Sequence, residues 1–474
     1  MVGDLRAREP SLLTLDGIDL APALEQRVFF ALRDRDAADR TRPPVIDMAT
    51  GLARLLAAVP LSVAAEWTPS AGEGPVTVLA RDLTHYPVIA RLGEELREAG
   101  VACAVVLTGR AARSAPLRRL PARRLERFLP ARLFPGLLAL EARRIARLRS
   151  ASQRWPALVG DDDARIGRDA VRRELSRISL GAAALSGVVA RWRPSLLVAF
   201  DEVGTWARLL PAVGKRHGVP TLDLPHAEAS DAAAIRGAGY DRMAVYGRRA
   251  AEVLRSAGIP PQRVSEIGAP RFDPLLAMVR DTPPTPEQRR VVYAAQYPAG
   301  AMTPQLLALC RDAAVAVARV VAPAELVVVP HPADPSPPGP LPDAGPAVAV
   351  RQAGSDGLHR ELVGAWAMVT GWSNSVFEAA IAGVPSIAVA AAGVAPVDFA
   401  ADGLALAAPD LDAASEVARS LLDAAIHGSA VATAQGALME HIGPLDGRAT
   451  ERAAALALEM VRPIPAGGAR MAGA

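Results

Sequence analysis

Cysteine, lysine and aromatic residues are scarce in this 474-residue sequence. The two cysteines, Cys103 and Cys310, each lie inside an apolar segment. They provide neither a disulfide framework nor a metal-ligand spacing, which fits a reducing, cytoplasmic setting. Lys215 is the single lysine, so the basic charge is almost all arginine. Arginine is abundant together with alanine and proline, a compositional bias that weakens any argument from arginine density alone. The formal net charge of +3 is too small to argue for nucleic acid as a partner. No run of about 18 apolar residues free of charge occurs, so no spanning helix is expected. The opening residues MVGDLRAREP lack the apolar core of a signal peptide. The expectation is a soluble protein, or one peripheral to the inner face of the plasma membrane.

What is present is globular: 51% of residues are hydrophobic and 22% charged. The length calls for two or more domains with their own cores. Apolar runs of strand length alternate with segments of helical periodicity, the pattern of parallel sheets covered by helices on both faces. The expected organisation is α/β, with two doubly wound, Rossmann-like domains facing a cleft. Residues 1–74 read as a helical lead-in, with amphipathic patterns over 21–33 and 48–58. Residues 75–284 form the first domain, interrupted by a basic helical insertion at 110–155. Residues 285–465 form the second, entered through the Pro-rich stretch DTPPTPE, and 466–474 read as a disordered tail. The insertion is dense in Arg with interleaved Leu and Phe. It suits an anionic membrane surface, an anionic acceptor, or simply a surface helical hairpin. Asp161-Asp162-Asp163 reads as a solvated loop or helix N-terminus.

Ligands on such sheets bind beyond the carboxyl ends of the strands. Asp82 and His85 follow the first confident strand, Asp201-Glu202 a later one, and Pro225-His226-Ala227-Glu228 the next. Two successive strands thus carry acidic groups and a histidine to one sheet edge, an arrangement suited to general acid–base work. Each residue alone could equally serve as a helix cap or an ion-pair partner. In the second half, Gln296 and Tyr297 follow one strand and His331-Pro332 another.

Residues 369–389, VTGWSNSVFEAAIAGVPSIAV, are the most informative stretch. They read as strand, turn, helix, turn, strand, with Gly383 closing the helix and Pro385 beyond it. The turn around Thr370, Ser373, Asn374 and Ser375 supplies hydroxyls and unpaired backbone N–H groups, an arrangement suited to a nucleotide phosphate. Glu378, three residues past Ser375, could close a capping box or reach ribose hydroxyls. An ordinary capped helix between buried strands has the same pattern.

Several segments resemble bacterial surface-polysaccharide glycosyltransferases of the GT-B fold, which are related to bacterial sialyltransferases and CDP-glycerol glycerophosphotransferases. Residues 238–275, AGYDRMAVYGRRAAEVLRSAGIPPQRVSEIGAPRFDPL, resemble the region closing their first domain. His331-Pro332 resembles their histidine-proline motif, and Ser373 with Ser375 resembles the serine pair that holds the donor phosphate. Asp201-Glu202 resembles the acidic pair that supplies the base in sialyltransferases, though Val203 intervenes before Gly204. Pro225-His226-Ala227-Glu228 departs from their glutamine-histidine-glycine and is similar instead to a segment of UDP-N-acetylglucosamine 2-epimerases.

The resemblance implies transfer of a sugar from a UDP- or CMP-linked donor to a surface polysaccharide or glycolipid. It implies no metal and no cofactor besides the nucleotide sugar. Asp201, Glu202 or His226 would act as the base. His331, Pro332, Thr370, Ser373, Asn374, Ser375, Glu378, Gln296 and Arg271 would hold the nucleotide. The alternatives are glycerophosphate transfer, sugar epimerisation, or a non-catalytic nucleotide-binding component of an assembly complex.

Overall fold

The computed structural model of the chain describes residues 1–33, 74–80, 85–108, 120–129, 134–200, 203–229, 231–281, 289–297, 302–332, 339–354, 357–389 and 398–461. The expected helix at 48–58, Asp82, Asp201, Glu202, the Pro-rich stretch and the tail lie outside these residues. The chain divides into two compact units interleaved in sequence. One comprises Met1–Ala244, Val253–Ser265 and Glu451–Ala474; the other comprises Val245–Glu252 and Glu266–Thr450.

In the first unit a short hairpin, β1 (Thr14–Leu15) and β2 (Ile18–Asp19), follows the helix Val2–Arg8. The main sheet is built from β3 (Val76–Ala80), β4 (Cys103–Leu107), β5 (Ala122–Arg124), β6 (Leu196–Ala199), β7 (Thr221–Asp223), β8 (Arg242–Val245) and β9 (Val264–Glu266). Their order is β5-β4-β3-β6-β7-β8-β9, and the pairs from β5 through β8 are parallel. β3 and β4 are buried at every position, as strands covered on both faces must be. The Cys103 thiol in β4 is pushed up to about 12 by burial, which keeps it protonated and unreactive.

The helix Asp161–Trp192 starts with the three aspartates in its first turn, where the unpaired N–H groups favour acidic side chains. It packs on Ala21–Arg33, the helix expected in the lead-in. Within 110–155, Ala122–Arg124 is an edge strand, where a helical insertion was expected. Three residues are too few to show a periodicity, so only pairing with β4 defines this strand.

The second unit holds β10 (Arg290–Ala294), β11 (Ala324–Val329), β12 (Val348–Gln352), β13 (Ala367–Thr370), β14 (Ser386–Ala388) and β15 (Leu406–Ala407). All five pairs are parallel, in the order β12-β11-β10-β13-β14-β15. Alternate residues of β10 enter opposite layers. Val291 and Tyr293 join a core with residues of the helix Pro304–Val320, whereas Val292 and Ala294 join one with Val376, Phe377 and Leu438. The sheet is therefore doubly wound. A single closing helix over 411–426 was expected. The chain instead breaks at Asp423, whose carboxylate accepts from the N–H groups of Ala425 (2.8 Å) and Ile426 (3.3 Å) and so caps a second helix, Ala424–Ile442.

In each sheet the chain runs outward on one side, then returns to the other side of its first strand. The switch points fall between β3 and β6 and between β10 and β13. Crevices beyond the carboxyl ends of such strand pairs are where α/β sheets bind ligands.

Candidate functional site

At the switch point of the second sheet, β10 is flanked by β11 and β13, and all three end in residues singled out above. Gln296 and Tyr297 follow β10 and reach in opposite directions. Tyr297 packs on His331, which follows β11, with ring centroids 4.7 Å apart. Gln296 donates from Nε2 to the carbonyl of Trp372, in the turn after β13, at 2.8 Å. One dipeptide thus ties both flanking strand ends to the central one. Pro332 is exposed beside the half-buried His331.

The turn is held from below. Thr370 is fully buried and its hydroxyl donates to the carbonyl of Ala294 at 3.0 Å, so it braces β13 on β10 and is not offered to a ligand. Gly371 leaves room at the turn: a Cβ there would lie 2.5 Å from Gln296 Oε1, 2.9 Å from Met302 Cε and 3.3 Å from Cys310 Sγ, so these side-chain ends would have to shift. Ser373 Oγ accepts from the Ser375 N–H at 3.2 Å. Ser373 and Asn374 are half-buried, while Ser375 is 5% exposed. The helix that follows, Ser375–Ile381, spans under two turns, so its dipole is small. Side-chain hydroxyls and the turn's own N–H groups are the donors that matter here. Gly383 closes the helix with φ +70°, and the N–H of Val384 reaches back to the carbonyl of Ala379 at 2.9 Å.

Glu378 does not form the capping box considered for it. No side chain caps this helix. The carboxylate turns inward, where Oε1 accepts from Arg271 Nη2 (2.9 Å) and His359 Nε2 (3.3 Å). Burial acts to raise its pKa, but the Arg271 charge and the His359 hydrogen bond hold it below the usual glutamate value. Burial likewise works against the Arg271 charge. Glu378 and the Tyr246 hydroxyl nevertheless hold the guanidinium above its ordinary value. That guanidinium also lies 5.0 Å from the Phe272 ring centroid. Helical spacing cannot reveal this arrangement, since Arg271 and Glu378 are 107 residues apart. His359 carried no such signal, since it lies in the short helix Leu358–Leu362, seven positions past the end of β12.

At the switch point of the first sheet the assembled groups differ in kind. His85, just past β3, stacks on Phe200, just past β6, with centroids 5.2 Å apart and planes at 27°. His226, after β7, lies against His85 at 5.6 Å. The sequence placed both histidines at strand ends; their contact, across 140 intervening positions, is a product of the fold. Glu228 and Asp223 are buried close by in the chain. In the basic stretch, Arg144 is buried and donates to the hydroxyl of Ser179, and Arg147 pairs with Glu9 at 3.2 Å. Arg143 and Arg149 are exposed. Among the described residues no helix is long and apolar enough to cross a membrane.

Two parallel-sheet, Rossmann-like units with flanking helices make this a GT-B fold. The chain resembles solved structures of that fold in two enzyme groups. A Listeria monocytogenes protein assigned as a UDP-N-acetylglucosamine 2-epimerase matches with a TM-score of 0.53 at 15% identity, covering 81% of this chain and 96% of that one. The Neisseria meningitidis UDP-GlcNAc 2-epimerase, solved bound to UDP-GlcNAc, matches with a TM-score of 0.51 at 12% identity, covering 81% and 100%. The glycotransferase of kitacinnamycin matches with a TM-score of 0.51 at 13% identity, covering 82% and 100%. No protein-family model and no curated protein sequence matches.

Proposed function

We propose that the chain is a metal-independent glycosyltransferase that moves a sugar from a nucleotide-activated donor to a surface polysaccharide or glycolipid. The observation that carries this reading is the Gln296-Tyr297 dipeptide, which joins His331 to the 370–375 turn at a switch point. His331, Ser373 and Ser375 are then neighbouring hydrogen-bonding groups for a diphosphate, as their resemblance to the histidine-proline motif and serine pair implies. In the reaction, a bond forms between the acceptor oxygen and the anomeric carbon. The bond from that carbon to the phosphate oxygen breaks, and the nucleotide leaves with the electron pair. Hydrogen bonds that strengthen as charge develops on the leaving phosphate favour the transition state over the ground state. The acceptor proton goes to a base of the first unit: His226, supported by His85, or one of Asp201 and Glu202.

Thermal unfolding with UDP, CMP and CDP tests the reading, because a ligand that binds the native state raises Tm with its concentration. The expected result is saturable protection by one nucleotide, with sugar transfer from the corresponding donor to a saccharide acceptor. Protection by none of the three overturns it. Conversion of a UDP-sugar to its 2-epimer without acceptor would make the chain an epimerase, and phosphorus in the acceptor product a glycerophosphotransferase. Binding without turnover on any acceptor would make it a sensor.

A further inference from the structure

Three polar atoms at the second switch point are shielded from solvent and have no hydrogen-bond partner among the described residues: Gln296 Oε1, Trp372 Nε1 and Ser375 Oγ. Gln296 and Trp372 lie two residues beyond the adjacent strands β10 and β13, and Ser375 opens the helix after β13. Each such group costs about 1–3 kcal/mol, and folded proteins keep few of them without a use. Their orientations are set by the turn. Because Gln296 Nε2 donates to the Trp372 carbonyl, the amide oxygen is the end left over. The missing side chain at Gly371 is what leaves room for that oxygen.

The three atoms specify complementary chemistry. Indole Nε1 only donates, amide Oε1 only accepts, and the serine hydroxyl does either. Phosphate oxygens would satisfy Trp372 and Ser375 but would set negative charge against Gln296 Oε1. A sugar-ring hydroxyl both donates and accepts, so adjacent hydroxyls complete all three.

We propose that Gln296, Trp372 and Ser375 form a subsite for vicinal hydroxyls of a sugar ring, with Gln296 and Trp372 determining specificity. The subsite rests on the nucleotide-sugar reading above. It adjoins the phosphate contacts made by His331 and Ser373 and shares the Ser375 hydroxyl with them. The three atoms are shielded as they stand, so a ligand engages them by displacing the half-buried Trp372 side chain. The ring can belong to the ribose or to the transferred sugar.

Trp372→Phe is the test, since it removes the N–H and keeps an aromatic ring in the turn. Affinities of the wild type and this variant are measured for pyrophosphate, UDP, UDP-GlcNAc, CMP and CMP-N-acetylneuraminic acid, with Tm as a check on folding. Loss of one hydrogen bond should weaken the bound sugar-containing ligand by about fivefold to tenfold. Pyrophosphate affinity should not change. A loss already present with the free nucleotide assigns the ring to ribose; a loss confined to the sugar-linked form assigns it to the transferred sugar. An equal loss with pyrophosphate, or no loss with any ligand, overturns the subsite while leaving nucleotide binding intact. A wild type that binds none of the five overturns both this proposal and the reading it rests on.

Discussion

At the first switch point the side chains that meet are titratable and aromatic: His85 stacked on Phe200, with His226 against His85. At the second they are hydroxyls, amides and an indole, braced by the buried Glu378 carboxylate, which holds the partly exposed Arg271 and His359. Strand order and the position of the switch are closely alike in the two sheets. Topology therefore decides where a ligand can sit, and the loop residues decide what can be done to it. Under the proposed transfer, the first of these edges offers candidate proton acceptors and the second candidate hydrogen-bond donors.

The contrast is broken or sharpened first by paired substitutions. His226→Ala should lower kcat about a hundredfold, the low end of what a general base contributes, with nucleotide Kd unchanged. Ser375→Ala should weaken nucleotide binding severalfold by isothermal calorimetry and lower kcat less than His226→Ala does. If both variants lose kcat alone, the two edges do not divide the work.

Next in size is the brace. Glu378→Ala removes the shared acceptor of Arg271 and His359, both partly exposed, and should cost about 2 kcal/mol in chemical denaturation. Its pH dependence has a definite sign. The folded-state pKa of Glu378 lies below its ordinary 4.5, so the folded protein binds fewer protons there than the unfolded chain. The contribution is complete above that range and is lost as pH falls through it. The stability gap between wild type and Glu378→Gln should narrow from pH 7 toward pH below 4.5, and a gap that widens in acid would refute the assignment.

The smallest effect expected is that of Gly371→Ala. Its methyl would overlap the flexible ends of Gln296 and Met302, which can shift, so the cost should be about 1 kcal/mol, the low end for overpacking. The Gln296 side chain, once displaced, should release the turn, so nucleotide affinity should fall along with Tm. Unchanged affinity would mean that the clamp from Gln296 to Trp372 is not what holds the turn.

Much of this architecture is legible in the linear sequence because its information is local. Apolar runs of strand length and helical periodicity mark β3, β4, β10 and β11, and Gly383 followed by Pro385 marks a helix end. Those signals place His226, His331, Ser373 and Ser375 beyond strand ends without any knowledge of contacts. Short edge strands such as β5 escape, because three residues carry no period. The break at Asp423 escapes too, because Ala-rich segments continue a helical pattern through a cap.

The sequence by itself determined the α/β class, the two sheets and the strand-end positions of the candidate residues, since each depends on a few neighbouring residues. It takes the folded chain to bring His85 against His226, to turn Glu378 inward to Arg271, and to leave the Gln296 oxygen unpaired beside Gly371. These depend on strand order and on side chains as much as 141 positions apart (His85 and His226), and no local periodicity encodes a partner at such a distance.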